Sequence, residues 1–369
     1  MKIRLSKPYI GKEEIDAVVE VLQSGTLSLG PKLSEFEKMF ASYIGVKYAV
    51  AVNSGTSGLH LIVKALNIKE GDEVITTPFS FVASANCILF EGAKPVFVDI
   101  DEITYNIDSR KIEAAITPKT KAILPVHVFG QACDMDPIIA IAKKHSLKII
   151  EDSCEAVGAK YKHKKAGTFG DAAVFAFYPN KQMTTGEGGM IVTNNDEIAV
   201  LCKSYRNQGR DTMAWLGHSR IGYNYRLDEM SCALGIEQLK KIDTILNTRR
   251  NIAQKYLKKL ANNKDLILPI VPDYNEESWF VFVIQVQDGI NRDRVVELLK
   301  EKGVASNTYF PPIHLQKFYK EDFGFKEGDF PVTEAISKRT IALPFFSELT
   351  DEEINYVCKS LVEAVAESK

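Results

Sequence analysis

The feature that most constrains the fold of this chain is a series of short apolar runs rich in β-branched residues. The runs occupy residues 47–52, 73–77, 95–100, 122–128, 147–151, 172–177 and 190–193. Helix-like segments separate many of them, and in 59–66 and 138–144 the apolar residues recur at helical spacing. Continuous apolar strands that alternate with helices predict an α/β fold with a mostly parallel sheet covered on both faces. In such sheets, ligands bind at the carboxyl ends of the strands.

After these runs the alternation of strand and helix patterns ends, and a helical stretch rich in lysine and leucine begins. We expect its apolar stripe to face a core, and the stripe consists of Leu239, Ile242, Ile245, Ile252, Tyr256, Leu257 and Leu260. The elements predicted next are a strand at 279–286, an amphipathic helix at 292–302 and an aromatic-rich loop at 307–315. We therefore predict a large domain over residues 1–244 and a smaller α+β domain over residues 245–369.

Composition excludes several classes of protein. The net charge is −2, so no strong positive field recruits nucleic acid or an anionic membrane. No apolar stretch approaches the roughly 18–20 residues that span a bilayer, and the run MKIRLSKPYIGKEE lacks the apolar segment of a signal peptide. The 6 cysteines are scattered, as in a cytoplasmic protein with reduced thiols. Zinc and P-loop motifs are absent from the sequence, so no metal is predicted.

A lysine and an aspartate follow two of the apolar runs. Lys181 stands in FYPNKQMTTGEGG, and Asp152 stands at the end of LKIIED. A lone lysine in a turn is most often simply exposed to solvent. A lysine between two buried strands, however, loses its proton more easily and can form a Schiff base with an aldehyde. An enzyme that uses pyridoxal 5′-phosphate needs this lysine and also a carboxylate for the pyridinium nitrogen, so the pair predicts that cofactor.

The run NSGTSGLHLIVKAL is the candidate phosphate site. Gly55 and Gly58 permit close backbone approach, Thr56 and Ser57 offer hydroxyls, and the following helix presents free N–H groups. Taken alone, this pattern is more often an ordinary helix cap. Its position after a strand, in a chain that also carries Asp152 and Lys181, favours phosphate binding.

Aromatic and acidic residues nearby suggest how a planar cofactor would be held. Phe79 and Phe81 lie in TTPFSFVASANCI, and either ring offers a flat face for stacking, although core packing explains each equally well. Glu155 follows Asp152 by three residues and can reach the same ligand one helical turn on. It is equally compatible with the first turn of a helix.

Two polar–aromatic loops are candidates for substrate binding. The run GYNYR combines Asn224 with Arg226, whose guanidinium suits carboxylate or phosphate recognition. The run YFPPIHLQ places Tyr309 and His314 among prolines, in a rigid loop that could close over a ligand. A packed helix-entry loop and a structural histidine are the alternatives.

With these residues in view, the chain resembles the DegT/DnrJ/EryC1/StrS family of sugar aminotransferases over nearly its whole length. The segments that carry the resemblance include GPKLSEFEKMFASYIGVKYAVAVNSGTSGL, PVFVDIDEITYNID, AILPVHVFGQACDMD, IIEDSCEAVGAKYKHKKAGTFGD, FAFYPNKQMTTGEGGMIVTNN and GYNYRLDEM. The run TTGEGG after the lysine and the run YFPPIHLQ are similar to the C4 aminotransferases of the GDP-perosamine synthase type.

The resemblance implies the fold-type I architecture of aspartate aminotransferase, with a seven-stranded sheet, in a homodimer with shared active sites. Lys181 would link to the cofactor, Asp152 would bind its pyridinium nitrogen, and Glu155 would lie near its phenolic oxygen. The other implied contacts are stacking by Phe81 and phosphate binding by Gly55, Thr56, Ser57 and the partner's Asn224. Many members carry a phosphate-binding serine where this chain has Ala176, so one phosphate contact is missing or replaced.

The resemblance also implies a reaction. We expect amino transfer from L-glutamate to a nucleotide-linked 4-keto-6-deoxy sugar, for surface polysaccharide or glycoside biosynthesis. Alternatives are a C3 aminotransferase acting on a 3-keto sugar, a cyclitol aminotransferase, or a non-catalytic regulatory protein that binds the cofactor or a sugar nucleotide. Arg226, Tyr309 and His314 are expected to contact the donor carboxylate or the sugar diphosphate.

Overall fold

The computed structural model describes residues 1–211 and 217–369 of the chain. The strands, in chain order, are β1 (Tyr48–Val52), β2 (Glu73–Thr76), β3 (Lys94–Phe97), β4 (Thr120–Ile123), β5 (Lys148–Asp152), β6 (Lys160–Tyr161), β7 (Lys164–Lys165), β8 (Ala172–Ala176), β9 (Gly189–Thr193), β10 (Leu266–Ile267), β11 (Asn275–Glu276), β12 (Phe282–Val286) and β13 (Thr340–Leu343). The α-helices are α1 (Lys12–Ser24), α2 (Pro31–Ile44), α3 (Gly55–Ala65), α4 (Ala83–Leu89), α5 (Ser109–Ile112), α6 (Met135–His145), α7 (Asp196–Arg206), α8 (Glu229–Lys240), α9 (Ile242–Leu260), α10 (Arg292–Glu301), α11 (Lys317–Phe323), α12 (Pro331–Ser337) and α13 (Asp351–Ala366).

Seven strands form the large sheet in the order β1–β9–β8–β5–β4–β2–β3. Strand β9 is antiparallel to both of its neighbours, β1 and β8, and the other neighbouring pairs are parallel. Each of the seven predicted apolar runs supplies one of these strands. The prediction of an α/β fold with a mostly parallel seven-stranded sheet is therefore confirmed.

Several predicted strands are shorter than their apolar runs, and two of them show a clear physical cause. The run 122–128 forms a strand only as far as Ile123, because Pro125 has no N–H group with which to extend the ladder. The strand predicted at 279–286 begins at Phe282, because Trp279 adopts a left-handed φ of 55° that ends regular strand geometry. The first of these terminations leaves irregular backbone at the carboxyl end of β4, on the edge of the large sheet where ligands are expected, whereas the second precedes β12 in a separate three-stranded sheet.

Both faces of the large sheet are buried, as β1 illustrates. Val50 and Val52 point to one side and pack in a core with apolar residues of α3. Ala49 and Ala51 point to the other side and pack in a second core that includes Phe36 of α2. This alternation follows from the period of two along a strand. Since each face is covered, the sheet edges and strand ends are the surfaces left for a ligand.

A third core, separate from the two that cover the large sheet, lies beside the sheet of β10, β12 and β13 and includes residues of α9, α10 and α13. The predicted apolar stripe begins at Leu239 of α8 and continues along α9, and its side chains are buried except for the partly buried Leu257. Ile3, from the start of the chain, also packs here and forms a bridge to Val304. The division of the chain between residues 244 and 245 falls within the first turn of α9 and stays a prediction.

Across residues 1–211 and 217–369, no helix combines the length and the apolar character needed to cross a membrane.

Candidate active site

A cavity of about 510 Å³ opens at the carboxyl ends of β5 and β8. The first residues of α3, the start of α4 and the loop between β8 and β9 line it on the side of the large sheet. Phe280, which lies just before β12, and Tyr309 and Phe310, which lie between α10 and α11, also line it. The cavity therefore lies at the edge of the sheet where the strand pattern predicts a ligand.

Lys181 extends into this cavity. Its Nζ atom lies 3.2 Å from Oε1 of Glu155 and 3.9 Å from the ring centroid of Phe280. Only 13% of its side chain is exposed. The turn that carries it is fixed by the next residue, because Nε2 of Gln182 donates to the backbone oxygen of Glu155 at 2.5 Å. Lys181 is thus held in the cavity and is not an exposed turn lysine.

Glu155 is the buried partner of this lysine. Burial raises the pKa of its carboxyl group, and the nearby Lys181 ammonium and the N–H of Phe129 oppose part of that shift. Its Oε2 atom accepts a hydrogen bond of 2.9 Å from the backbone N–H of Phe129, whose φ is 59°. Both carboxylate oxygens therefore have defined partners, which fixes the orientation of the side chain.

Asp152 ends β5 and lies at the floor of the cavity with 5% of its surface exposed. Its Oδ2 atom accepts a 2.7 Å hydrogen bond from Oγ of Ser84, and its Oδ1 atom accepts one of 3.1 Å from the backbone N–H of Cys154. Hydrogen bonds donated to a carboxylate favour its charged form. The arrangement therefore fixes the orientation of the Asp152 side chain inside the cavity.

The N-terminus of α3 forms another wall. Ser54 caps the helix by accepting from the backbone N–H of Ser57 at 3.0 Å. Gly55 permits close packing, since a Cβ atom there would lie 2.8 Å from Sγ of Cys154 and 2.9 Å from Cβ of Ala176. Gly55 and Thr56 line the cavity, which puts the positive end of the helix dipole beside it.

Ser57 occupies a different position from its neighbours. It is not among the residues that line the cavity, and its hydroxyl group donates to Oδ1 of Asn53 at 2.7 Å. Its hydroxyl is thus committed to the helix entry, which leaves Ser54 and Thr56 as the residues of this run that bring hydroxyl side chains to the cavity wall.

Phe79 and Phe81, which the sequence made equally good candidates for stacking on a planar ligand, have different environments. Phe79 is fully buried and packs edge-on against Phe129 and Phe310 in the core. Phe81 is 64% exposed and lines the cavity. An exposed aromatic ring at a cavity mouth is available to stack on a planar ligand, and a core ring is not.

Tyr309 and Asn180 add polar groups to the cavity. Burial and the nearby Glu155 carboxylate raise the pKa of Tyr309 to about 12, so its hydroxyl keeps its proton at neutral pH. The Oδ1 atom of Asn180 is buried and accepts no hydrogen bond from the described residues. An unpaired buried oxygen at a cavity wall is an available acceptor for a ligand.

Besides Ser57, three predicted site residues lie outside this cavity. Asn224 is exposed, and Arg226 donates to Oδ1 of Asn207 at 3.0 Å. His314 is completely buried, with Nε2 3.0 Å from Oε1 of Glu334 and its ring against Phe330. His314 therefore has the environment of a structural histidine, which was the alternative to a role in substrate binding.

Several cavity residues were missed by sequence reasoning. Ser84 follows Phe81 by three residues, a spacing that signals a shared helical face. Asn180 directly precedes Lys181, and adjacency was its only signal. Phe280 lies just before β12, about 100 residues after Lys181, and only tertiary packing brings its ring onto that lysine.

The donor set fits pyridoxal 5′-phosphate. The cavity offers a lysine amine for the aldehyde, a fixed carboxylate for the pyridine nitrogen, helix N–H groups for the phosphate and an unpaired acceptor at Asn180. The fold and this site define a pyridoxal-phosphate-dependent transferase. Within that class, the chain belongs to the DegT/DnrJ/EryC1/StrS aminotransferase family, whose model matches residues 8–362.

Known proteins resemble the chain over nearly its full length. It is 42% identical over 374 residues to the spore coat polysaccharide biosynthesis protein SpsC of Bacillus subtilis, covering 98% of this chain and 96% of that protein. It is 40% identical over 364 residues to the GDP-perosamine synthase of Caulobacter vibrioides, covering 98% and 97%. The solved structure of a putative sugar aminotransferase from Streptococcus pneumoniae in its PLP form has a TM-score of 0.95, at 28% identity and 100% coverage of both chains. The chain is accordingly a sugar aminotransferase with pyridoxal 5′-phosphate as its cofactor.

Proposed function

We propose that this aminotransferase acts on C4 of a nucleotide-linked 4-keto-6-deoxy sugar, with L-glutamate as the amino donor. Support for C4 comes from the 40% identity to a GDP-perosamine synthase, which spans 98% of this chain. The similarity to a spore coat polysaccharide biosynthesis protein supports a product destined for a surface polysaccharide. The observation that carries the catalytic part is the position of Lys181 Nζ, beside Glu155 and in one cavity with Asp152.

The residues of the cavity have distinct proposed roles. Pyridoxal phosphate, when bound, supplies an aldehyde carbon that carries the amino group from the donor to the sugar and a pyridine ring that acts as an electron sink. Lys181 would hold the cofactor's aldehyde carbon and then move a proton between that carbon and the donor's α-carbon, as a general acid and base. Asp152 would keep the pyridine nitrogen protonated. Both roles require the short distances and low exposure that the cavity provides.

The remaining proposed contacts to the cofactor come from other residues in and beside the cavity. The N–H groups of Gly55 and Thr56 and the Thr56 hydroxyl would bind the phosphate, and Phe81 would stack on the ring. Glu155 would lie near the phenolic oxygen. Ser57 would act indirectly, by holding Asn53 and the helix entry through its 2.7 Å hydrogen bond. For substrate contact, we favour Tyr309, which lines the cavity, over the buried His314.

We further propose that the active enzyme is a homodimer with shared active sites. Helix α1 exposes Ile15, Val19 and Leu22 at 57%, 42% and 53%, a spacing that places them on one helical face. An exposed apolar face of this kind suits a subunit interface. Asn224 lies on an exposed loop away from its own chain's cavity and is free to reach the phosphate of the partner's cofactor. Arg226 on the same loop is proposed to contact substrate.

The experiment that tests the proposed substrate measures nitrogen transfer directly. Purified holoenzyme is incubated with ¹⁵N-labelled glutamate and a panel of nucleotide-linked 4-keto and 3-keto sugars, and the products are analysed by NMR. The proposal predicts ¹⁵N at C4 of a 6-deoxy sugar. Label at C3, or in a cyclitol supplied as its ketone, would replace the C4 assignment while keeping the aminotransferase reaction.

A pair of lysine variants controls this assay. Lys181→Ala should transfer no nitrogen, and Lys258→Ala, which alters an exposed lysine on α9, should transfer it at the normal rate. Absence of transfer from every donor and acceptor, in a protein that binds the cofactor, would instead favour the non-catalytic regulatory alternative.

A further inference from the structure

A chain of hydroxyl groups leads to Asp152. Oγ of Ser84 donates to Oδ2 of Asp152 at 2.7 Å, and Oγ of Ser80 lies 2.8 Å from Oγ of Ser84. The single hydroxyl proton of Ser84 is committed to the carboxylate. Ser80 must therefore be the donor in the second bond, and both dipoles point toward Asp152.

The chain is shielded from water. Ser80, Ser84 and Asp152 are 5%, 1% and 5% exposed. In such surroundings, consecutive hydrogen bonds polarise one another and an electrostatic interaction is stronger than it would be in water. The other carboxylate oxygen is held by the N–H of Cys154, whose thiol also interacts with Asp152, so among the described residues removal of Ser84 would leave Cys154 as the remaining donor to the carboxylate.

We propose that Ser84, supported by Ser80, is a positioning residue that orients the Asp152 carboxylate toward the cofactor's pyridine nitrogen, and thereby favours the proton's position on that nitrogen. The inference rests on the proposed role of Asp152. A proton shared between a carboxylate and a pyridine moves toward the more basic partner. Donors to the carboxylate lower its basicity, so loss of the Ser84 hydroxyl shifts the proton from the ring toward Asp152.

The test uses a readout that does not depend on turnover. Each variant is loaded with pyridoxal phosphate that carries ¹⁵N in the ring, and the ¹⁵N chemical shift reports the protonation of the ring nitrogen. Ser84→Ala removes the donor, Ser84→Thr restores a hydroxyl, and Ser80→Ala removes only the second donor. Asp152→Asn supplies the end point without a carboxylate.

Ser153 provides a matched control. It adjoins Asp152, is fully buried, and its hydroxyl has no hydrogen-bond partner among the described residues. Ser153→Ala therefore deletes a buried hydroxyl beside the same carboxylate without touching the chain of donors. Its ring ¹⁵N shift should match that of the wild-type protein.

We expect the ring ¹⁵N shifts of wild type, Ser84→Thr and Ser153→Ala to coincide at the protonated value. The shift should then move toward the unprotonated value in Ser80→Ala, further in Ser84→Ala, and furthest in Asp152→Asn. The half-reaction of Ser84→Ala with glutamate should be about tenfold slower, the effect of losing one hydrogen bond to a charged group. A wild-type ring shift in Ser84→Ala would overturn the inference. If that variant does not fold, a wild-type shift in Ser80→Ala overturns it.

The proposed role of Asp152 can fail separately. If Asp152→Asn leaves the ring ¹⁵N shift unchanged, another group faces the nitrogen and the proposed function of Asp152 is wrong. If Asp152→Asn moves the shift but neither serine variant does, only the inference about the hydroxyl chain is wrong.

Discussion

Lys181 and Glu155 form an ion pair inside the cavity, with Nζ and Oε1 3.2 Å apart. The pair joins the loop after β8 to the segment after β5, and the ring of Phe280, which lies just before β12, covers the lysine at 3.9 Å. Breaking a buried pair by removing one partner leaves an uncompensated charge and is costly. Changes at either residue should therefore alter both cofactor binding and the pH dependence of stability.

The first prediction concerns the stability of the apoprotein as a function of pH. Burial raises the pKa of Glu155 above its ordinary value of 4.5, so the folded protein keeps this proton after the unfolded chain has released it. The contribution of the carboxyl to stability is full below about pH 4.5 and is lost as the pH rises through the folded pKa. We expect urea unfolding to show wild type losing stability relative to Glu155→Gln over that interval.

An exposed carboxylate of the same cavity controls this measurement. Glu187→Gln changes a solvated side chain and should give a pH profile of stability parallel to that of wild type. If the profile of Glu155→Gln is also parallel to wild type, the raised pKa of Glu155 is wrong.

The second prediction concerns the charge of Asp152. Asp152→Asn keeps the shape of the side chain but removes the negative charge opposite the pyridine nitrogen. We expect the cofactor still to bind and the half-reaction with glutamate to slow by about 10²–10³-fold, as when an electrostatic partner of a transition state is lost. Stopped-flow absorbance after glutamate addition measures this rate. Wild-type kinetics would show that another residue performs this role.

The third prediction concerns the space at Gly55. A Cβ atom there would meet Cys154 Sγ and Ala176 Cβ at distances below van der Waals contact, so Gly55→Ala should displace the start of α3. We expect the dissociation constant of pyridoxal phosphate to rise about tenfold or more, because the phosphate would lose well-placed N–H donors. Gly55→Ala/Ala176→Gly should recover part of the affinity. Unchanged affinity in the single variant would place the phosphate elsewhere.

The fourth prediction concerns the sharing of active sites between subunits. Asn224→Asp adds a negative charge that should repel the partner's cofactor phosphate, and Lys181→Ala removes the reactive amine. Each variant alone should be inactive. After subunit exchange, one site of a mixed dimer carries both defects and the other carries neither, so activity should return to at most one site per mixed dimer.

The matching control is a mixture of Lys181→Ala with Asp152→Asn, whose defects lie in the same chain's cavity and should not complement each other. If Asn224→Asp is inactive and mixing restores nothing, Asn224 acts within its own chain. Equal recovery in both mixtures would indicate a general effect of mixing.

The local sequence was sufficient to predict the seven strands of the large sheet and the two chemical groups that follow β5 and β8, but not the short strands β6, β7, β10, β11 and β13. Buried parallel strands read as continuous apolar runs, and Asp152 ends one of them, so sheet geometry places it at the ligand edge. Lys181 follows from the same argument, because its loop leaves the neighbouring strand β8. These are short-range patterns that a single segment specifies.

The environment of each side chain was less predictable, because it depends on segments distant in sequence. Phe79 and Phe81 have similar sequence contexts, and only packing against Phe129 and Phe310 buries the first and leaves the second exposed. Likewise, the pairing of His314 with Glu334 satisfies one ring nitrogen inside the protein. Cores formed between distant elements decide such cases.

The central claim, that Lys181 is the residue that binds pyridoxal phosphate covalently, can be tested by one measurement. Borohydride reduction of the holoenzyme makes the bond between lysine and cofactor permanent, and peptide mass spectrometry then locates the added mass. The account predicts the phosphopyridoxyl group on Lys181, with Lys181→Ala unlabelled and Lys258→Ala labelled as wild type. Stoichiometric label on any other lysine of the wild-type protein would contradict it.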